Sequence, residues 1–184
     1  MSTPSIADEV KLIFSLFSPE KELIDSTLNA LEEILGISDW ISPWLLFDRT
    51  RYYEKEMGWP LHRRFVSLKN LIKPETLVDK KLIAIELEMK YNSNGKRRIN
   101  IDPGYISLER LVLATGKNYT HRIYLSKGIY ADLTLVFNRG SFRPLEWTYR
   151  DYSDPDIIAF FNEQRERYKN QLRGIEDSGE DVLK

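Results

Sequence analysis

The chain has 184 residues, a formal net charge of −1 and a hydrophobic fraction of 42%, which together predict one globular domain with its own core. Cysteine is absent and histidine occurs only at His62 and His121, so zinc, haem and iron–sulfur sites are not expected. No apolar run of about 18 residues and no signal-peptide pattern is present, and we therefore expect a cytoplasmic protein without a membrane span.

The near-neutral net charge hides a segregation along the chain. Residues 1–60 carry a net charge of −6, residues 61–150 carry +9 and residues 151–184 carry −4. One interpretation is that the acidic and basic segments pack together and neutralise each other. The other is that the middle segment presents a basic surface to phosphates or another anion.

The N-terminal part of the sequence predicts a strand, a helix and a second strand. Apolar residues run through Val10–Phe17, which is typical of a central strand covered on both faces. Ser18-Pro19 then predicts the start of an amphipathic helix that ends at Gly36. Pro43–Asp48 predicts a second buried strand, so that this part forms either a βαβ-like unit or a split α+β arrangement.

The next elements are a helical turn at Tyr52–Gly58, a strand at Arg63–Leu68 and a longer helix that begins at Pro74. A loop follows at Asn92–Gly95, where turn-forming residues cluster. The predicted apolar face of the longer helix consists of Val78, Leu82, Ile85 and Met89.

Two further elements follow this loop. Polar and apolar residues alternate through Arg98–Asp102, which predicts a strand that ends in a turn at Pro103-Gly104. Ser107 is then expected to cap a helix. The predicted apolar face of that helix consists of Leu108, Leu111, Val112 and Thr115.

A hairpin is predicted from Thr120–Leu125 and Ile129–Phe137, which flank the three residues Ser126-Lys127-Gly128. A loop of that length fixes the pairing of the two strands, and it places Arg122 directly opposite Asp132.

The C-terminal part predicts a strand near Ser141–Leu145 and a helix that begins at Asp154-Pro155 and ends at Gly174. Residues 175–184 form an acidic tail that is expected to be frayed. The predicted fold is a single α+β domain over residues 1–184, with an ordered core at about 10–173. We expect it to contain a mixed sheet, a C-terminal antiparallel hairpin region and flanking helices.

Several motifs together resemble an uncharacterised prokaryotic family of small single-domain proteins, marked by the Asp-Pro-Gly-Tyr signature at 102–105. The resemblance covers about residues 10–173 and supplies no catalytic residues, because the family has no established activity. The motifs are Phe47-Asp48 with Tyr52–Gly58, Arg63–Phe65, Asn100–Tyr105, Leu113–Asn118, His121–Leu125, Gly128–Ala131, and Trp147–Tyr149 with Asp151-Tyr152.

Some members of that family are labelled as GTP-binding proteins, and this sequence does not support a P-loop. The nearest match to the P-loop pattern is Gly116-Lys117, where Leu111 replaces the first glycine and Asn118 replaces Ser or Thr. These residues also follow a predicted helix, whereas a P-loop follows a strand.

The predicted hairpin carries a polar face that has two interpretations. Arg122, Tyr124, Tyr130 and Asp132 project from the same side, opposite the apolar residues of the longer strand. This face is either simply solvated or a ligand platform, in which tyrosines supply flat surfaces and arginine binds an anion.

The strand at Arg98–Asp102 shows the same division. Arg98, Asn100 and Asp102 project together next to a predicted turn, which is a common place for functional residues. The alternative is that Asp102 only caps the Asp-Pro-Gly turn through its own backbone.

Acidic side chains are the candidates for catalysis. Asp48, Asp102 and Asp132 lie on strands or at strand ends, where carboxylates hold Mg²⁺ or act as acid and base. His121 is expected to be a core or boundary histidine rather than a general base, because it falls on the apolar side of its strand.

The sequence therefore leads to two hypotheses about function. The first is binding or processing of a phosphate-bearing ligand, such as a nucleotide, a sugar phosphate or a nucleic-acid end, with Mg²⁺ as the cofactor if the protein is an enzyme. The ligand would contact Arg63, Arg64, Arg98, Asn100, Arg122, Tyr124 and Tyr130. The second hypothesis is a non-catalytic protein-interaction domain, and a role in nucleic-acid binding is not favoured because the pI is near 6.2.

Overall fold

The computed structural model describes residues 1–48 and 50–175 of the chain. Over these residues the chain forms nine strands and four helices. The strands are β1 (Val10–Ser18), β2 (Ser38–Ile41), β3 (Leu45–Leu46), β4 (His62–Ile72), β5 (Asn100–Ile106), β6 (Arg110–Thr115), β7 (Arg122–Ser126), β8 (Ile129–Asn138) and β9 (Ser141–Pro144). The helices are α1 (Lys21–Leu35), α2 (Glu54–Met57), α3 (Leu77–Lys90) and α4 (Pro155–Leu172).

The strands form one sheet in the order β2-β4-β1-β5-β6-β8-β7, with β3 beside β4 and β9 beside β8. Every ladder within the described residues is antiparallel. The predicted α+β class is therefore confirmed, but the sheet is not mixed. The strand–helix–strand unit takes the split form, because β4 lies between β1 and β2.

Helices cover both faces of the sheet. On one face α1 and α3 pack against alternate residues of β1, namely Leu12, Phe14 and Leu16. On the other face α4 packs against a second cluster that includes Ile13 and Phe65. All nine residues of β1 are buried, which confirms the predicted central strand covered on both sides.

Several predicted elements are confirmed with small shifts. Helix α1 begins at Lys21, slightly later than predicted, and Ser18 Oγ accepts the Glu20 N–H at 3.0 Å. Helix α4 begins at Pro155 as predicted and ends at Leu172. Within the described parts of the chain, none of the helices combines the length and apolar character that a membrane span requires.

The strand predicted at Pro43–Asp48 is only two residues long. It forms β3, while the unpredicted strand β2 pairs with the next stretch of the same edge of β4. Pro43 lies between the two strands and has no N–H to donate, so the edge is interrupted there.

The turn predicted at Pro103-Gly104 is wrong, because β5 runs straight through both residues. They pair with β1, Pro103 opposite Phe14 and Gly104 opposite Ile13. A Cβ atom on Gly104 would lie 2.6 Å from the Val112 carbonyl oxygen on β6. Glycine is therefore needed here for the close approach of two strands rather than for a turn.

The helix predicted after Ser107 is also wrong, because residues 110–115 form β6. Its apolar run Leu111–Ala114 is buried along its whole length between β5 and β8. A continuous apolar run satisfies both helical and strand spacing, and the pairing partners on both sides decide in favour of the strand.

The hairpin register is confirmed, with Arg122 opposite Asp132, but its loop is shorter than predicted. Ser126 pairs with Ile129, so the loop consists of Lys127 and Gly128, whose φ angles are 51° and 77°. Two positive φ angles fit a type I′ turn. An irregularity between Tyr124 and Ser126 compensates for the missing loop residue.

The acidic tail predicted at 175–184 lies outside the described residues, apart from Ile175.

Candidate functional site

The sheet opens where β5 and β6 separate. The two strands pair only between Gly104–Ile106 and Leu111–Leu113. Beyond this point β5 continues against β1, and β6 continues to Thr115 against β8. A cavity of about 770 Å³ lies at this opening, a size common among small-molecule sites.

Several distant segments of the chain line this cavity. The lining includes residues from most of the motifs on which the family resemblance rests. It also includes residues of α3. The lining residues that matter for its chemistry are Phe17, Phe47, Tyr52, Tyr53, Arg63, Lys81, Glu88, Arg97, Asn100, Asp102, Thr115, Gly116, Lys117, Asp132, Tyr149, Arg150, Asp151 and Tyr152.

Asn100 and Asp102 are predicted site residues that line the cavity from β5. The Asp102 carboxylate accepts a hydrogen bond from Asn100 Nδ2 at 2.6 Å. It also forms an ion pair with Lys81 Nζ at 3.1 Å. Arg97 donates to Asn100 Oδ1 at 2.7 Å. These contacts fix the orientation of Asp102, so the interpretation of it as a turn cap is wrong.

Arg63, another candidate from the sequence, also lines the cavity, but it is almost fully buried. Its guanidinium donates to Ser15 Oγ at 2.8 Å and forms an ion pair with Asp151. It also lies over several aromatic rings, including Phe65 at 4.5 Å and Tyr152 at 5.0 Å. Arg63 thereby holds the segment around Asp151 against the sheet.

Asp132 lines the cavity from β8, and its carboxylate is buried rather than solvated. Arg122 donates to it at 2.8 Å, and the other guanidinium nitrogens donate to the Lys117 carbonyl at 3.0 Å and the Tyr149 hydroxyl at 2.6 Å. Arg122 itself does not line the cavity. Its hydrogen bonds hold Lys117 and Tyr149, and both of these residues line the cavity.

His121 lies beside this cluster, next to the Asp132 carboxylate. Its Nε2 is 3.4 Å from Asp132 Oδ2, and its ring stacks on Trp147 with the centroids 5.0 Å apart. The predicted boundary position of His121 agrees with these contacts.

The remaining predicted site residues are not brought to this cavity. Arg98 forms an ion pair with Glu20 near the start of α1, so its predicted position beside Asn100 and Asp102 is wrong. Arg64 lies over the Trp44 ring at 3.9 Å. Tyr124 is exposed and packs against Tyr130, whereas Asp48 lines a neighbouring cavity of about 200 Å³.

Helix α3 supplies two site residues that the sequence pattern does not identify. Lys81 and Glu88 lie seven positions apart, which is two helical turns, so they share a face of α3. The buried face of α3 includes Lys81, whereas Met89, predicted to be apolar and buried, is exposed. Two charged residues on one helix face were the available signal.

Four arginines of the basic middle segment pair with acids of the two flanking segments. The pairs are Arg63–Asp151, Arg64–Asp25, Arg97–Glu56 and Arg98–Glu20. The interpretation in which the charged segments neutralise each other is therefore correct for these residues.

Two cations of the cavity lack such a partner. Within residues 1–48 and 50–175, neither Lys117 nor Arg150 forms an ion pair. Both are exposed, so they mark the open end of the cavity, and Lys117 Nζ lies 5.3 Å from the centre of the Tyr52 ring. The open end is therefore electropositive.

Glu88 is the acid of this cavity that has no ion pair in the described part of the chain. One of its carboxylate oxygens accepts the Ile101 N–H at 2.6 Å. Burial raises the pKa of Glu88, and the nearby Lys81 ammonium opposes this only in part.

Neither a cluster of three metal ligands nor a P-loop occurs in the part of the chain that the structure describes. No group of three or more potential metal ligands is present there, so Asp48, Asp102 and Asp132 do not come together as one three-carboxylate cluster. Gly116-Lys117 follows strand β6, not a helix as predicted, but it leads into another strand. A P-loop would lead into a helix N-terminus.

A family model described as "Domain of unknown function (DUF4416)" matches residues 8–168 of the chain. This match confirms the resemblance to an uncharacterised family. No curated protein and no solved structure matches the sequence significantly.

Proposed function

The chain thus belongs to the family of the domain of unknown function DUF4416, and we propose that its cavity binds a small phosphate-bearing molecule such as a nucleotide or a sugar phosphate. The observation that carries this proposal is the pair of cations without acidic partners, Lys117 and Arg150, at the open end of the cavity. A phosphate group would neutralise them, and arginine binds phosphate oxygens through a planar fork.

The backbone around Lys117 supports the same proposal. Gly116 has no atoms within 4 Å of the position that a Cβ would occupy, so a ligand can approach the backbone closely there. Arg122 donates to the Lys117 carbonyl, which positions this turn relative to Tyr149. The turn is therefore held in place before any ligand binds.

Aromatic side chains supply flat surfaces for the rest of the ligand. Tyr52, Tyr53 and Tyr149 all line the cavity, and such rings bind planar or apolar groups. The volume of about 770 Å³ exceeds what phosphate alone would need, so the ligand carries a further organic group.

A second candidate function is protein interaction at the edge strand β7. This strand ends the sheet, and its residues Ile123, Tyr124 and Leu125 are exposed. Exposed apolar residues on an unpaired edge are typical of strands that pair with another chain.

The proposed function is tested by melting curves with phosphate monoesters and their dephosphorylated counterparts. A ligand at 100 times its Kd stabilises the folded state by about 2.7 kcal/mol. For a domain of this size the melting temperature would rise by roughly 5–10 °C, at about 2–4 °C per kcal/mol.

The variant Lys117→Gln/Arg150→Gln should abolish this rise without lowering the melting temperature of the unliganded protein. The matched control is Lys69→Gln/Arg143→Gln, which removes two exposed cations from β4 and β9. The proposal is wrong if no phosphate compound stabilises the wild type, or if both double variants respond equally.

A further inference from the structure

The acids of the cavity offer a ligand different contacts from its unpaired cations. Glu88 and Asp102 line the cavity, and carboxylates accept hydrogen bonds without donating any when they are ionised. Oε1 of Glu88 is held by the Ile101 N–H, and no hydrogen bond to its Oε2 is formed within the described residues. Glu88 can therefore accept from a ligand.

Asp102 retains acceptor capacity as well. Each of its oxygens receives one donor, from Lys81 or from Asn100, whereas an ionised carboxylate offers about four acceptor positions. Its side chain is 32% exposed, although Lys81 is buried beside it. Lys81 and Asn100 thus orient Asp102 while leaving it accessible.

The carboxylates and the unpaired cations of the cavity therefore require different groups on one ligand. The carboxylates repel a phosphate, and Lys117 and Arg150 attract it. Groups with hydrogen atoms to donate would satisfy Glu88 and Asp102. A ligand without such groups would desolvate the carboxylates without forming new hydrogen bonds to them.

We propose that Glu88 and Asp102 make this cavity selective for phosphate esters of hydroxylated sugars, with the sugar hydroxyls donating to the two carboxylates. The proposal rests on the phosphate site proposed above and names the rest of its ligand. The required hydroxyls occur both in free sugar phosphates and in the ribose of nucleotides.

Calorimetric titration with three phosphate monoesters tests this selectivity. Ribose 5-phosphate and adenosine 5′-phosphate carry sugar hydroxyls, whereas phenyl phosphate has none. We expect both sugar esters to bind at least about tenfold more tightly than phenyl phosphate, which is the usual effect of one hydrogen bond to a charged group. The stronger of the two sugar esters shows which source of hydroxyls the cavity favours.

The variant Glu88→Gln tests which residue is responsible. It keeps the shape of the side chain, and we expect it to weaken ribose 5-phosphate binding about fivefold to tenfold while leaving phenyl phosphate unchanged. The matched control is Glu86→Gln, which removes an exposed acid of the same helix.

The possible failures are distinguishable. If no phosphate ester binds, the phosphate site itself is wrong. If phenyl phosphate binds as tightly as ribose 5-phosphate, or if Glu88→Gln weakens both equally, the phosphate site stands and the hydroxyl selectivity is wrong.

The pH dependence provides a second measurement. Burial raises the pKa of Glu88, and the charged groups that face it are Lys81 on the same helix, Asp102 on β5 and Arg97 just before β5. The preference for ribose 5-phosphate over phenyl phosphate should grow as pH rises through that pKa, because only the ionised carboxylate accepts at both oxygens. In Glu88→Gln the preference for ribose 5-phosphate should not change with pH. A pH dependence equal to that of the wild type would overturn the assignment to Glu88.

Discussion

Two regions of this molecule bury charged side chains, and they differ in how those charges are paired. Under α4, Lys11 is completely buried, and its ammonium donates to Asp39, to Gln171 Oε1 at 2.9 Å and to the Leu68 carbonyl at 3.3 Å. An ammonium has three donors, so these contacts satisfy it fully. Such a group belongs to the architecture of the fold.

The cavity between β5 and β6 contains similar residues with a different balance. Lys81 is paired with Asp102, but Lys117, Arg150 and Glu88 form no ion pairs within the described residues. Buried charge alone therefore does not identify a functional site in this chain. What distinguishes the cavity is charge that the described protein groups do not pair, at a place that a ligand can reach.

The largest expected effect is a loss of stability when Lys11 is replaced, without a change in ligand binding. Lys11→Met removes the ammonium, keeps an unbranched chain and leaves Asp39 unpaired, which should cost about 3–5 kcal/mol. The melting temperature should fall by roughly 6–20 °C. Phosphate-ester affinity, measured by calorimetry well below the new melting temperature, should not change; a loss of affinity would mean that the two regions are coupled.

Arg122→Ala should affect both stability and binding. An exposed cross-strand pair would contribute little to stability, but the side chains of Arg122 and Asp132 are only 9% and 5% exposed. Leaving the Asp132 carboxylate buried and unpaired should cost about 2–4 kcal/mol. Binding should weaken too, because Lys117 and Tyr149 lose the group that positions them. A melting curve within 1 °C of wild type would contradict the buried role of this pair.

Gly104→Ala should disturb the opening of the sheet. The new methyl group would lie 2.6 Å from the Val112 carbonyl oxygen and from Leu113 Cδ2, and such overpacking costs about 1–3 kcal/mol. The matched control is Gly116→Ala just after β6, where nothing lies within 4 Å of the added Cβ and stability should hardly change. Equal melting temperatures for the two variants would show that β5 and β6 do not need this close contact.

The smallest expected effect is a rise in melting temperature, whereas the preceding variants lower it. The pKa of Glu88 is raised in the folded state, so wild-type stability falls as pH rises from the ordinary pKa of a glutamate through the raised one. Glu88→Gln imitates the protonated form, and its melting temperature should exceed that of the wild type by a few degrees at high pH. The difference should vanish below about pH 4, under the ordinary glutamate pKa. Glu86→Gln should show no such trend.

Local patterns account for the parts of the fold that the sequence predicts correctly. The unbroken apolar run of β1 indicates a central strand, Asp154-Pro155 marks the start of α4, and the hairpin places Arg122 opposite Asp132. Each of these depends on residues close in sequence. The turn wrongly predicted at Pro103-Gly104 depends instead on β1 and β6, which are distant in the sequence.

The candidate site is predicted less completely for the same reason. Four candidates that the sequence offers as polar residues of strands all line the cavity, namely Arg63, Asn100, Asp102 and Asp132. Arg98 alternates with its neighbours in the same way, but it precedes β5 and pairs with Glu20.

Other residues of the site are not identified as functional from the sequence. Lys117 and Arg150 resemble ordinary surface cations in the sequence, and only the separation of β5 from β6 gives them a cavity to face. Lys81 and Glu88 are not identified because the apolar pattern of α3 predicts that a different face of this helix is buried. Which charges remain unpaired is a property of the assembled fold, so the sequence alone does not predict it.

A crystal structure of the protein with ribose 5-phosphate tests the central claim most directly. That claim is that the unpaired charges of the cavity define its ligand. The expected result is a phosphate group within hydrogen-bond distance of Lys117 or Arg150, with the sugar hydroxyls directed towards Glu88 and Asp102. A phosphate bound outside the cavity, at Arg64 or Arg98 for example, would contradict the claim, as would an empty cavity at saturating ligand concentration.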